Sequence, residues 1–142
     1  AGTVTEVSQV ELTKKAGGKF IISPDTNEAI IRKTSELDMV SIPGALTPTE
    51  IETAYKSGAD FVKLFPIISL GADYVKAIKA PLSGIRLLGV GGINENNMSE
   101  YSKAGICGFG IGSNLVNKQF ISEGNFKAIT DLTKKFISNL GE

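Results

Sequence analysis

The chain has 142 residues, of which 42% are apolar and 21% charged, and its 15 basic and 15 acidic side chains give a formal net charge of zero. These proportions predict one packed domain spanning residues 1–142 and exclude a disordered chain. Zero net charge argues against a nucleic-acid surface or a polybasic membrane patch, because both need a sustained positive field. The absence of histidine excludes Ser-His and Cys-His catalytic pairs and removes the commonest metal ligand.

Three features of the sequence bear on where the protein is located. Residues 1–4 (AGTV) lack the basic region and apolar run of a signal peptide, and no apolar stretch approaches the roughly 20 residues that a membrane span needs. The single cysteine, Cys107, cannot form an intramolecular disulfide, which fits a reducing compartment. We therefore expect a cytoplasmic protein with neither membrane nor nucleic-acid partners.

Short β-prone runs alternate with segments of helical spacing along the whole chain. Six strands are predicted, at residues 2–4, 20–23, 39–42, 61–65, 86–90 and 108–111. Residues 47–50 (TPTE) have the pattern of a helix start with a capping box, and Asn94 is positioned to cap the helix after the fifth strand. Strict alternation predicts parallel strands joined by crossover helices.

Two architectures have this alternation, the open doubly wound sheet and the closed eightfold barrel. Six strand-helix units would complete a doubly wound domain of 142 residues. A closed barrel typically needs about 200 residues or more. Length therefore favours the open sheet, whereas the motifs described next favour the barrel.

The most informative residue is a lysine inside an apolar strand, in residues 59–66 (ADFVKLFP). Side chains alternate along a strand, so Lys63 shares one face with Phe61 and Phe65, and we expect that face to be a dry interior. Burial lowers the pKa of an ammonium, and a neutral amine is a nucleophile that forms a Schiff base with ketones. The alternative is a lysine on an edge strand whose head group reaches solvent.

Glycine-rich turns follow the last two predicted strands. Gly91-Gly92 precedes Asn94, and Gly112-Ser113 occupies the corresponding position one unit later. Such turns expose backbone N–H groups at helix N-termini, and barrels often bind phosphate in the loops after their last two strands. The alternative is ordinary tight turns, which also require glycine. The pair of turns favours phosphate binding.

Taken together, these motifs resemble the bacterial 2-keto-3-deoxy-6-phosphogluconate/4-hydroxy-2-oxoglutarate aldolase family. The resemblance rests on residues 1–4 (AGTV), 22–24 (ISP), 42–44 (IPG), 62–66 (VKLFP), 90–93 (VGGI) and 112–113 (GS), in family order and spacing. It implies a parallel (β/α)8 TIM-barrel fold, of which about six units are present, and usually a homotrimer. The activity implied is that of a class I (Schiff-base) aldolase without metal or cofactor, cleaving 2-keto-3-deoxy-6-phosphogluconate to pyruvate and glyceraldehyde 3-phosphate, with 4-hydroxy-2-oxoglutarate as a second candidate substrate.

The resemblance also implies site residues. Lys63 would form the imine; Thr3, Pro43, Thr47 and Phe65 would line the substrate pocket; and Gly91, Gly92, Gly112 and Ser113 would bind the phosphate. Residue 90 is Val where many phosphogluconate-type members carry Thr, which points toward the related phosphogalactonate aldolases.

One part of the family's site lies outside this sequence. The resemblance places the general acid/base glutamate and a carboxylate-binding arginine before Ala1, so we expect the chain to be the C-terminal three-quarters of a barrel and to have little activity alone. Asp25 follows a strand end but does not match the catalytic position. Two other functions stay open: an isomerase or epimerase that uses Lys63 electrostatically, and an inactive phosphate-binding fragment.

Overall fold

The computed structural model of the protein describes residues 1–140. Its strands are β1 (Phe20–Ile22), β2 (Val40–Ile42), β3 (Gly44–Ala45), β4 (Val62–Leu64), β5 (Leu87–Val90) and β6 (Gly108–Gly110). Its α-helices are α1 (Val7–Lys15), α2 (Glu28–Glu36), α3 (Pro48–Lys56), α4 (Gly71–Lys79), α5 (Met98–Lys103), α6 (Lys118–Ser122) and α7 (Phe126–Ser138), and a 3₁₀ turn covers Ile67–Ser69.

All strand pairs are parallel and follow chain order. β1 pairs with β2, and β3, β4, β5 and β6 pair in sequence. A doubly wound sheet reverses its strand order at a switch point, whereas a β/α barrel adds each strand beside the previous one. No reversal occurs among the described strands, so the order confirms the parallel barrel-type prediction over the open doubly wound sheet.

A proline separates the third predicted strand, residues 39–42, from a short strand that the sequence pattern does not predict. Pro43 has no N–H to donate to a ladder, and it separates β2, which pairs with β1, from β3, which pairs with β4. The carboxylate of Asp60 accepts from the Ser41 N–H at 2.8 Å, and the Asp60 N–H donates to the Ser41 carbonyl at 3.1 Å. These bonds connect β2 to the start of β4, so the bent segment 40–45 joins both halves of the sheet.

The first predicted strand, residues 2–4, is wrong as a strand. Gly2 forms a single parallel bridge to Ile22, and the Val4 N–H donates to the Ile22 carbonyl at 3.1 Å. Between them, Thr3 has φ 60°, the left-handed conformation that interrupts an extended chain. The segment thus lies beside β1, where the prediction placed it, but does not form a regular strand.

Two predicted helix starts have different outcomes. Helix α3 begins as predicted, with a reciprocal capping box between Thr47 and Glu50 and with Pro48 as its first residue. Helix α5 begins at Met98, so Asn94 does not cap it. Instead the Asn94 side chain accepts from the N–H groups of Asn96 and Asn97 and closes a separate turn that precedes the helix.

The core has two parts. The larger packs α3, α4, α5 and α7, together with Ile31 of α2, against β3–β5, with Ile51, Leu64 and Leu87 fully buried. The smaller lies under α1 and α2 around Val10 and Ile30. Within residues 1–140, no helix has both the length and the apolar character that crossing a membrane requires.

Candidate active site

Lys63 lies in the middle of the sheet and not at its edge. Its strand, β4, is flanked by β3 and β5, and Lys63 is in register with Gly44 on one side and Leu88 on the other. The Lys63 N–H donates to the Pro43 carbonyl at 2.8 Å, which fixes the backbone. The residue is only 7% exposed, and this burial lowers the pKa of its ammonium group. The edge-strand alternative is therefore wrong.

The two phenylalanines of this strand have different neighbours. The Phe65 ring centroid lies 4.9 Å from Lys63 Nζ, whereas the Phe61 ring lies 4.3 Å from the guanidinium carbon of Arg86. Phe65 is also 41% exposed. The expected dry face with Lys63 between two rings is thus wrong in part, because the lysine contacts one ring and that ring lies at the solvent-facing mouth.

Asp25 is the charged group that acts on Lys63. It follows β1 at the carboxyl end of the sheet, and its carbonyl accepts from the Gly44 N–H at 3.2 Å. Gly44 is in register with Lys63, which places Asp25 at the same end of the sheet as the lysine. The negative charge of Asp25 raises the pKa of Lys63, but the effect of burial is larger, so the pKa is lowered overall.

The two glycine turns form one cavity. A space of about 230 Å³ is lined by residues 90–93 and 110–114, which include all four residues predicted to bind phosphate. The N–H groups of Gly91, Gly92 and Ser113 donate no hydrogen bond within residues 1–140, and no charged side chain lines the cavity. An array of free backbone N–H groups suits an anion such as phosphate.

These N–H groups come from loops and not from long helices, contrary to the sequence expectation. Helix α5 begins several residues beyond Gly92, and α6 is short and begins beyond Ser113. Both glycines of the first turn have positive φ, 90° for Gly91 and 84° for Gly92. Residues other than glycine rarely adopt such values, so the conformation of this turn requires glycine at both positions.

Phe65 connects the lysine to the cavity. A Cβ on Gly91 would lie 3.2 Å from the Phe65 ring, and the centroid of the same ring lies 4.9 Å from Lys63 Nζ. A buried amine and an anion cavity therefore open at the same end of the sheet, with one aromatic ring between them.

The remaining predicted pocket residues are placed less uniformly. Pro43 is buried, and its carbonyl accepts from the Lys63 N–H. Thr3 is exposed and lies beside β1, because its neighbour Gly2 bridges to Ile22, whereas Lys63 lies on β4. The Thr47 hydroxyl donates to Glu50 at 2.8 Å and accepts from the Glu50 N–H at 3.3 Å, so it is engaged in the cap of α3. Substrate contacts for all three stay predictions.

Sequence comparisons identify relatives over most of the chain. The sequence model of the family described as "KDPG and KHG aldolase" matches residues 1–132. A probable 2-dehydro-3-deoxy-6-phosphogalactonate aldolase from Rhizobium meliloti is 41% identical over 116 residues, which are 81% of this chain and 55% of that protein. A 2-dehydro-3-deoxy-phosphogluconate aldolase from Treponema pallidum is 34% identical and is matched over 99% of this chain and 68% of its own length.

Solved structures agree. A structure described as native KDPGal has a TM-score of 0.90 and 32% identity, over 100% of this chain and 69% of the other. The KDPG aldolase of Legionella pneumophila, described with pyruvate captured as a covalent carbinolamine, has a TM-score of 0.80 and 26% identity over 96% of this chain and 66% of the other. The chain spans little more than half the length of some curated relatives. Because the family model covers nearly the whole chain, the protein belongs to the KDPG and KHG aldolase family.

Proposed function

We propose that this chain carries the imine-forming and phosphate-binding parts of a class I aldolase. Its substrate would be a six-carbon 2-keto-3-deoxy-6-phospho sugar acid, which it cleaves to pyruvate and glyceraldehyde 3-phosphate. One observation carries the proposal: Lys63, buried and with a lowered pKa, opens at the same end of the sheet as a cavity of unpaired backbone N–H groups. An isomerase or an inactive phosphate binder needs the cavity but not a lysine amine that is easily deprotonated.

The chemistry at Lys63 begins with its neutral amine. Nζ attacks the C2 carbonyl carbon to give a carbinolamine, which takes up a proton and loses water to form a protonated imine. The electron-poor imine accepts the electron pair of the C3–C4 bond as that bond breaks, while the C4 hydroxyl gives its proton to a general base and C4 becomes the aldehyde carbon. Protonation of the resulting enamine at C3 gives the pyruvate imine, and water then releases pyruvate and the free amine.

The cavity would act at the far end of the substrate. Backbone N–H groups of Gly91, Gly92 and Ser113 would donate to the phosphate oxygens. Binding energy from this remote group orients the C2 carbonyl against Lys63 Nζ without involving the bond that breaks. The Phe65 ring, between the amine and the cavity, would contact the carbon chain.

Reductive trapping tests the proposal. The protein expressed from its complete gene is incubated with pyruvate and borohydride, and the labelled peptide is identified by mass spectrometry. We expect one carboxyethyl adduct, on Lys63 and on none of the other 12 of the 13 lysines. Lys63→Ala should remove it, while Lys76→Ala, which changes an exposed lysine on α4, should keep it. Phosphate binding without any adduct would instead favour the inactive phosphate binder.

The epimer at C4 is the second question. The phosphogluconate compound is the substrate predicted from the sequence, and the phosphogalactonate compound is the alternative. Val90 favours the alternative, because it lines the cavity beside Gly91 and offers no hydroxyl to the substrate. The 41% and 38% identity to two phosphogalactonate enzymes points the same way. Measuring kcat/KM for both epimers decides between them.

We further propose that the enzyme works as a cytoplasmic homotrimer. Support comes from the family resemblance and from the exposed free thiol of Cys107, which suits a reducing compartment. Light scattering during size-exclusion chromatography tests the assembly, and a monomer at micromolar concentration would contradict it.

A further inference from the structure

Three asparagine side chains hold the loop after β5 from different directions. Asn97 Nδ2 donates to the Gly92 carbonyl at 3.0 Å, Asn114 Nδ2 to the Ile93 carbonyl at 2.7 Å, and Asn139 Nδ2 to the Glu95 carbonyl at 2.5 Å. The donors belong to three parts of the chain: the start of α5, the loop after β6 and the end of α7. Three carbonyls within four residues of one loop are thus bound by side-chain amides.

The orientation of these amides is determined by the structure. Asn97 also accepts from the Asn94 N–H through its Oδ1 at 2.9 Å, so its nitrogen must face the Gly92 carbonyl. Asn114 lines the anion cavity and comes from the second glycine loop. Its bond to Ile93 is therefore a direct link between the two loops that form the cavity.

The consequence concerns the N–H groups. Each planar peptide unit joins the C=O group of one residue to the N–H group of the next, so these two groups rotate together. With the carbonyls of Gly92 and Ile93 held by amides, the peptide planes that carry the N–H groups of Ile93 and Asn94 cannot rotate freely. The Ile93 N–H, which has no partner within residues 1–140, then keeps its orientation in the residue that lines the cavity. The preceding peptide, which carries the Gly92 N–H, is held separately, because the Gly91 carbonyl accepts from the Ile68 N–H at 3.2 Å.

We propose that Asn97, Asn114 and Asn139 form an amide clamp that keeps the anion-binding loop in its phosphate-binding conformation. They are positioning residues, because they act on the ligand through the loop backbone. Asn114 sets the spacing between the two glycine loops, and Asn139 makes the last turn of α7 a support for the cavity. The inference rests on the proposed phosphate-binding function.

The test compares phosphorylated and unphosphorylated ligands in the protein expressed from its complete gene. Asn114→Ala should raise both KM for the phosphorylated keto acid and Kd for inorganic phosphate about fivefold, the effect of one lost hydrogen bond. Asn139→Ala should act in the same direction. Trapping of pyruvate on Lys63, which involves no phosphate, should not change. Asn114→Asp keeps the size of the side chain and removes the donor, but it also adds a negative charge beside the cavity, so it should weaken phosphate binding more than Asn114→Ala.

Asn125→Ala is the matched control. The Asn125 side chain caps α7 by accepting from the Ala128 N–H and does not contact the loop. It should lower the thermal midpoint without changing phosphate affinity. If wild-type protein binds no phosphate, the proposed function fails; if it binds phosphate but the Asn114 and Asn139 variants bind it equally well, or lose pyruvate trapping to the same degree, the clamp is wrong.

Discussion

A position can require glycine for two reasons, a left-handed backbone or a lack of space for a Cβ, and four glycines of this chain separate them. Gly92 combines positive φ with crowding, because a Cβ there would lie 2.4 Å from the Ile68 Cβ. Gly17 has positive φ and open space, and Gly44 has ordinary φ but would place a Cβ 2.2 Å from the Pro24 carbonyl oxygen. Gly112 has neither constraint. Alanine at Gly17 therefore measures backbone strain alone, and alanine at Gly44 measures steric overlap alone. Alanine at Gly92 measures both costs together, and alanine at Gly112 is the reference without either.

The magnitudes follow from the two costs. A left-handed backbone costs an alanine about 1–2 kcal/mol, and forcing an extra carbon into a packed site costs about 1–3 kcal/mol. Gly92→Ala should thus lower the free energy of unfolding by about 2–5 kcal/mol, a large part of the roughly 5–15 kcal/mol typical of a domain. Gly112→Ala should stay within about 0.5 kcal/mol of the wild type.

Urea unfolding provides the assay. Each variant's midpoint is converted to a free energy at constant slope, because a changed slope would indicate a different denatured state. We expect Gly17→Ala to lose about 1–2 kcal/mol and Gly44→Ala about 1–3 kcal/mol. The reasoning is refuted if Gly92→Ala and Gly112→Ala differ by less than about 1 kcal/mol, the lower limit of the strain cost.

Two more predictions concern the loop after β3, which Glu50 and Tyr74 hold in place. Glu50 accepts from the N–H groups of Leu46 and Thr47, and these bonds hold the pKa of its carboxyl below the usual range. Glu50→Ala should therefore lower the free energy of unfolding by about 1 kcal/mol near neutral pH. Because the folded pKa is lowered, this loss should shrink as pH falls through that pKa, and a pH-independent loss in urea titrations would contradict the assignment. The Tyr74 hydroxyl donates to the Leu46 carbonyl, so Tyr74→Phe should cost about 1 kcal/mol by thermal unfolding, and an unchanged midpoint would show that the bond contributes nothing.

Much of the fold is predictable because local rules and tertiary packing agree. The runs around β1, β4, β5 and β6 are marked by their β-branched and apolar residues, and the capping box of α3 by its residue spacing. Failures occur where the backbone leaves regular geometry. Thr3 takes a left-handed conformation that threonine rarely adopts. Strand β3, which follows Pro43, is not predicted because two residues are too few to show a β-prone run.

The candidate site shows the same division. Alternation along β4 places Lys63 and Phe65 on one side, and the glycine pairs mark the cavity through residue type and spacing alone. Asp25 and the asparagine clamp have no comparable signal. Their partners lie on other strands or helices, such as Ile93 for Asn114, and only the tertiary structure brings them together.

The charge of Asp25 leads to a prediction about pH. Imine formation needs the neutral amine of Lys63, so the rate of pyruvate trapping should rise with pH through the pKa of that lysine. The carboxylate of Asp25 stabilises the ammonium form and raises this pKa against the larger effect of burial. Asp25→Asn removes the charge and keeps the side chain's size, so the pKa should fall and the trapping profile should move to lower pH.

The neighbouring elements offer no second group to replace that charge. Strands β3 and β5, which flank Lys63, contain no titratable side chain, and Arg86, just before β5, is stacked on Phe61. Asp73→Asn is the control, because Asp73 pairs with Lys76 on the exposed face of α4 and should leave the profile unchanged. A profile that shifts equally in both variants would mean that net charge, and not the position of Asp25 at the mouth of the site, determines the protonation of Lys63.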